Sequence, residues 1–252
     1  MALVGSGEYL PVLDDVERAL LAGRPGRFVQ LATAAAPEGR DSLRYWHDLG
    51  AQAAHRLGVE QVVVDVVDRD TADDPALAAL VDGGGLVYLS GGNPTFLTET
   101  LRGTATWAAI RSAWQAGAAL AGCSAGAMAL SASVPRIRPP RRGALPGLGV
   151  VPGIEVLPHF DKFTARMPDL VLRRVAGAPP GVLVVGIDED TALVGGLDGW
   201  TAVPAPQPAE SAGPGTPWQV MGRRSVWLIT ADGRLEYPTG STVVLNGLHQ
   251  PR

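Results

Sequence analysis

Seven short, mostly apolar runs set the terms on which this chain can fold: Ala2 to Val4, Arg27 to Ala32, Gln61 to Val67, Leu86 to Leu89, Ala118 to Gly122, Ile154 to Leu157 and Leu183 to Ile187. A strand with one wet face alternates apolar with polar residues. These do not, so each reads as a strand covered on both sides. Between them, apolar positions take helical spacing over Leu13 to Leu21, Asp41 to Leu57, Pro94 to Leu101 and Thr106 to Gln115. Asp73 or Asp74 followed by Pro75 marks a further helix start. Strand and helix in this rhythm predict an α/β fold, a three-layer sandwich with a mostly parallel central sheet. From Trp218 to Leu245, strand-like runs are broken by Asp232-Gly233, a hairpin signal, and predict antiparallel strands at the sheet edge.

Length and composition narrow the classes further. The 252 residues suit one domain, with a core over about residues 1–200 and C-terminal edge strands over about 218–246. The Pro- and Ala-rich segment from Val203 to Pro217 reads as a surface excursion, and no internal repeat is present. With 46% hydrophobic and 18% charged residues, disorder is excluded. A net charge of −4 offers nothing to nucleic acid. No window reaches the roughly 18 uninterrupted apolar residues of a membrane span. The lone cysteine, Cys123, excludes an internal disulfide and a cysteine-held metal. The first residues lack a basic, then apolar, leader pattern, so a cytoplasmic location is expected. His47 and His55 fall in a helix pattern outside any metal signature and read as helix-surface or hydrogen-bonded residues.

In open parallel sheets, ligands bind beyond the carboxyl ends of the strands. Several runs end there in glycines. The first empties into Gly5-Ser-Gly-Glu8, where Glu8 reads either as an acid facing the pocket or, the preferred reading, as a solvated acid in a surface turn. Another empties into Ser90-Gly-Gly-Asn93, a turn able to bring backbone N–H groups close to a ligand. The run ending at Gly122 continues as Gly122-Cys-Ser124-Ala-Gly126, with helix formers after it. This is the pattern of a nucleophile elbow, a strand-to-helix turn that pushes a serine hydroxyl out of the sheet. Cys123, the residue before the serine, points away from such a tip and reads as a buried, inert small hydrophobe.

A serine hydroxyl needs a base to remove its proton, and the base needs a third group to hold its tautomer. His159, in a loop at the end of Ile154 to Leu157, supplies the imidazole. Asp188, Glu189 and Asp190 follow Leu183 to Ile187; three acids there are expensive to desolvate together, so one alone should face the imidazole. The order serine, histidine, acid differs from the serine, acid, histidine order of an α/β-hydrolase and argues against a lipase or esterase of that fold.

Five motifs in order carry a resemblance: Gly91-Gly-Asn93, Gly122-Cys-Ser-Ala-Gly-Ala127, Gly147-Leu-Gly-Val-Val-Pro-Gly153, Pro158-His-Phe-Asp161 and Gly186-Ile-Asp-Glu-Asp-Thr-Ala-Leu193. Together they resemble the serine peptidase family of dipeptidase E and cyanophycinase, over most of the chain. The resemblance implies a class I glutamine amidotransferase-like fold and a Ser-His-Glu triad in which Ser124 is the nucleophile, His159 the general base and Glu189 the acid. It implies oxyanion donors at the backbone of Gly92 or its neighbour Asn93, and of Ala125. The expected substrate is a small peptide or amide, cut next to an aspartyl residue as those two enzymes do, and no cofactor is implied. Lys162 and Arg166, which follow His159 where related proteins often carry basic residues, are candidates to bind a substrate carboxylate. Four arginines between Arg136 and Arg142 read either as a solvated loop or as a rim that attracts an anionic substrate. Two rival readings stand beside this one: a hydrolase of non-peptide amides, and a non-enzymatic member that binds a metabolite. A homodimer is left open.

Overall fold

The short apolar runs become strands because both of their faces are buried in the fold. The computed structural model describes residues 1–135, 144–151, 153–163, 182–195, 217–230 and 233–245. Five parallel strands form the centre of the large sheet: β1 (Ala2–Val4), β2 (Arg27–Leu31), β3 (Glu60–Val63), β4 (Leu86–Leu89) and β5 (Ala119–Cys123). Their spatial order is β1, β5, β4, β2, β3. Side chains leave alternate faces. Leu3, Val29, Leu31, Val87, Leu89 and Leu120 enter one apolar cluster, while Val4, Phe28, Leu86, Tyr88 and Ala121 enter another.

Each cluster is closed by helices. On the second face lie α1 (Asp14–Leu21), through Val16 and Leu20, and α2 (Arg40–Leu57), through Ala53 and Ala54. After α3 (Arg69–Ala72) and α4 (Pro75–Ala79), the first face receives α5 (Pro94–Leu101), α6 (Ala105–Gln115) and α7 (Ala125–Leu130), which contribute Leu97, Leu101, Trp107, Ile110 and Leu130. Helix starts follow local chemistry: Asp74 and Asn93 accept N–H bonds from Ala76 and Phe96, each just ahead of a proline at the first helical position. Among the described residues, no helix is long and apolar enough to cross a membrane.

The second half of the chain departs from a single sheet. After a small pair, β6 (Ser133–Pro135) with β7 (Ala144–Pro146), come β8 (Ile154–Leu157), α8 (Phe160–Phe163), β9 (Leu183–Ile187) and β10 (Thr191–Gly195). β10 pairs antiparallel with β1 and so occupies the edge that a further parallel strand would need. β8 and β9 therefore pair with each other. With β12 (Ser225–Thr230) and β13 (Gly233–Pro238) they make a separate four-stranded sheet. Ile154, Val156, Val185 and Val226 of that sheet join the cluster that holds α7. Among the described residues, β11 (Pro217–Gly222) and β14 (Thr242–Val244) extend the large sheet beyond β10, both antiparallel. The C-terminal strands expected at one edge are thus divided between two sheets.

β3 is also shorter than the run Gln61 to Val67: its pairing with β2 ends at Val63 opposite Gln30, Val64 N–H makes one last bond to the Gln30 carbonyl at 3.0 Å, and Val64 and Val66 stay buried beyond the strand. The loop Arg136–Arg142, Arg166, Asp232 and the excursion from Val203 as far as residue 216 lie outside the described residues.

Candidate active site

Ser124 sits at the tip where β5 turns into α7, with φ +49° and ψ −107°. The turn is tight because α7 is pressed against the strands. A Cβ on Gly122 would lie 2.5 Å from the Gly126 carbonyl carbon, and one on Gly126 would strike the backbone carbonyl of Leu89 in β4. The Ser124 N–H donates to the Val4 carbonyl at 2.9 Å, which fixes the tip to β1. Its hydroxyl is left facing the loops beyond the sheet.

His159 follows β8 and opens α8, with φ +50°. Its Nε2 is 3.1 Å from Ser124 Oγ, and its Nδ1 is 3.0 Å from Glu189 Oε1. Glu189 stands in the turn between β9 and β10, and its N–H donates to Asp161 Oδ1 at 3.0 Å. Asp161 Oδ2 in turn takes a bond from Arg224 Nη1 at 2.6 Å, so a residue between β11 and β12 helps to hold the turn that carries Glu189. About 29% of the His159 side chain and 28% of the Glu189 side chain is exposed, enough for a substrate to reach them.

The neighbouring acids do other work. Asp188 is buried, accepting bonds from Ser225 N–H at 3.2 Å and Trp227 Nε1–H at 3.1 Å. Burial pushes its carboxyl above the usual range, against the pull of those two donors. Asp190 has φ +56°, and its Oδ1 lies against Gly7. One acid of the three reaches the imidazole, and it is Glu189. Lys162 Nζ is 3.5 Å from the other Glu189 oxygen, with its side chain 59% exposed.

The amides near Ser124 divide sharply. Gly91 N–H donates to Glu8 Oε1 at 2.8 Å, and Asn93 N–H to the Ala34 carbonyl at 2.7 Å. Asn93 is therefore corrected as an oxyanion donor: its N–H is committed to Ala34 and its side chain caps α5. Gly92 between them is the amide of the three left for that role. It has φ +134°, and a Cβ there would fall 2.5 Å from the Ala34 carbonyl carbon. Ala125, the first residue of α7, has no intrahelical acceptor for its N–H.

The preferred sequence reading of Glu8 is corrected, and the other, that it faces the site, is the one that fits. Instead of a solvated acid it is 5% exposed, and its Oε2 takes the Cys123 thiol hydrogen bond at 2.7 Å. Burial first, and the Glu8 charge next, push the Cys123 thiol well above its ordinary range, so it stays protonated beside the serine. The one signal pointing to Glu8 was its position at a strand's carboxyl end. Among the described residues, the four non-glycine residues with positive φ are Tyr9, Ser124, His159 and Asp190, all in loops of this region. Such backbone costs about 1–3 kcal/mol each and persists only where surroundings impose it, commonly at functional sites.

An α/β sandwich with these motifs at its strand ends defines a protein with the class I glutamine amidotransferase-like fold. Comparison with known families is more specific: residues 34–199 match Peptidase family S51, and the chain belongs to that family, the one that contains dipeptidase E and cyanophycinase. Two curated relatives, the cyanophycinases of Trichormus variabilis (strain ATCC 29413 / PCC 7937) and Nostoc sp. (strain PCC 7120 / SAG 25.82 / UTEX 2576), are each 31% identical over 156 residues, 58% of this chain. The match spans about half (51%) of the length of these relatives. Among solved structures, a peptidase from an acI-B1 Actinobacterium is 36% identical, covering 97% of this chain and 96% of that one, with a TM-score of 0.81. A protein named for peptidase E, from Listeria monocytogenes EGD-e, shares the fold at 19% identity, 76% and 91% coverage and a TM-score of 0.53.

Proposed function

We propose that this chain is a serine peptidase or amidase that hydrolyses a small peptide or amide through an acyl-enzyme on Ser124. The observation that carries the reading is the unbroken chain from Ser124 Oγ through the two ring nitrogens of His159 to Glu189 Oε1. In the proposed reaction His159 Nε2 accepts the hydroxyl proton as Ser124 Oγ attacks the amide carbonyl. The carbonyl oxygen becomes an anion, which the N–H groups of Gly92 and Ala125 stabilise. The imidazolium, kept in orientation by Glu189, then gives its proton to the departing amine. A water molecule, activated by the same imidazole, cleaves the ester and returns Ser124 to its hydroxyl form. Cys123 does not compete, because its thiol is buried and bonded to Glu8.

Preference for an aspartyl neighbour is the substrate reading. It is supported by the resemblance to dipeptidase E and cyanophycinase and by the cation of Lys162 beside the site, which suits a carboxylate. The test is labelling with a serine-directed fluorophosphonate, followed by a dipeptide panel. Wild type labels, Ser124→Ala does not, and Asp-containing dipeptides are cleaved faster than neutral ones. Absence of labelling in the wild type favours a ligand-binding member of the family. Labelling with cleavage of simple amides but no dipeptide favours the non-peptide amidase.

A further inference from the structure

Glu8 takes no part in the reaction as written, yet its carboxylate is bonded to both sides of the serine turn. Oε1 accepts Gly91 N–H at 2.8 Å, and Oε2 accepts the thiol of Cys123 at 2.7 Å. Gly91 is wedged between the carboxylate and the serine: a Cβ on it would lie 2.9 Å from Glu8 Oε1 and 3.5 Å from Ser124 Cβ. Tyr9, at φ +66°, grips the same loop one residue earlier, its hydroxyl 2.7 Å from Ser90 Oγ. Tyr9 is anchored in turn, since its carbonyl accepts from Arg56 Nη2 at 2.6 Å, and Arg56 pairs with Asp14 at 3.1 Å. Two consecutive residues after β1 thus hold two consecutive residues after β4. On the far side, the Asn93 bond to Ala34 closes the turn. The Gly92 amide lies between two fixed neighbours.

We infer that Glu8 is a positioning residue for the oxyanion site: by holding Gly91 N–H it fixes the Ser90–Gly91 peptide, from which the next peptide, the one that carries the Gly92 N–H, is hinged at the Gly91 Cα. This rests on the serine-hydrolase reading above. A glycine pair rotates freely in the absence of such a hold, and a donor stabilises a developing anion best when it needs no reorganisation. The Cys123 thiol completes the device by locking the second carboxylate oxygen, so the first cannot swing away from Gly91. Cys123 is thereby a support for the carboxylate and not a second nucleophile.

The experiment compares full-length wild type, Glu8→Ala and Glu8→Gln. Active serines are counted by fluorophosphonate titration, so that each rate is expressed per competent site. Three quantities are then read: kcat and KM on the best-cleaved dipeptide of the panel, and the inhibition constant of a dipeptide boronate, which forms a tetrahedral anion on the serine. Glu8→Ala lowers kcat per titrated site by about 10- to 100-fold and weakens the boronate in parallel, with KM changed by less than about threefold. Glu8→Gln stays within about threefold of wild type, because its amide oxygen still accepts Gly91 N–H. A merely structural role would reduce the number of titratable sites and leave the rate per site alone, and that result overturns the inference. Failure of Glu8→Gln to rescue while folded also overturns it. Should Glu8→Ala not fold, Glu8→Asp carries the test, since it keeps a carboxylate but withdraws it from Gly91; unchanged kcat there is equally fatal. A wild type that neither labels nor cleaves sinks the serine-hydrolase reading itself, whereas an active wild type indifferent to residue 8 sinks this inference alone.

Discussion

Replacing Gly92 by Ala tests the proposed oxyanion site at its tightest point. The new methyl would sit 2.5 Å from the Ala34 carbonyl carbon and 2.8 Å from Ala35 N, where ordinary contact begins near 3.4 Å. The Ala34 carbonyl oxygen is nearer still, so the loop must retreat by about 1 Å, slightly more than the difference between 3.4 and 2.5 Å. A displacement near 1 Å in a catalytic constellation removes about 10²-fold in rate, and loss of one oxyanion donor about 10²–10³-fold, or about 2.7–4 kcal/mol. Because the interaction strengthens in the transition state, the loss belongs in kcat and not in KM. Steady-state kinetics on the best-cleaved dipeptide, with Tm measured alongside, give the answer. The control is Gly103→Ala, also at positive φ (+71°) but with nothing within 4 Å of its Cβ. That variant carries a backbone strain of about 1–2 kcal/mol and no kinetic defect. If Gly92→Ala keeps kcat within threefold of wild type, Gly92 is not an oxyanion donor and the proposed site is wrong.

Three further outcomes are expected. Glu189→Gln keeps the bond to His159 but removes the charge that stabilises the imidazolium, so kcat falls by about 10²–10⁴-fold with Tm little changed; a loss below about fivefold would leave Glu189 without its proposed role. Cys123→Ala frees Glu8 Oε2 but leaves Oε1 on Gly91 N–H, so it lowers kcat by less than Glu8→Ala does and still labels with the fluorophosphonate, whereas abolition of labelling would make the cysteine, not Ser124, the nucleophile. Glu17, fully buried with Oε2 unpartnered, has its carboxyl pushed by burial to about 8. The folded chain then holds that proton to higher pH than the unfolded one, so raising the pH from the ordinary 4.5 to about 8 favours unfolding. At 1.36 kcal/mol per pH unit the loss is capped near about 5 kcal/mol. Glu17→Gln removes this slope from a Tm-against-pH series, and a wild-type series parallel to that of the variant would refute the assignment.

The sequence by itself determined the elements and the outline of the site. Strands buried on both faces must be continuously apolar, which is why β1, β4, α5 and the turn at Ser124 were legible at the residues where they occur. Helix starts at Asp74 and Asn93 were equally local, since the capping side chain and the proline are neighbours of the helix they begin. Tertiary structure decided what depends on partners distant along the chain. Which of three consecutive acids meets His159 is set by a turn between strands of two different sheets, and the burial of Glu8 is set by Gly91 and Cys123, 83 and 115 residues away. The amide of Asn93 was removed from the oxyanion role by Ala34, a residue with no side-chain signal to announce it. Periodicity records how a segment is covered, because covering acts on successive residues; it does not record which atoms do the covering, and at this site those atoms decide which groups are left to act.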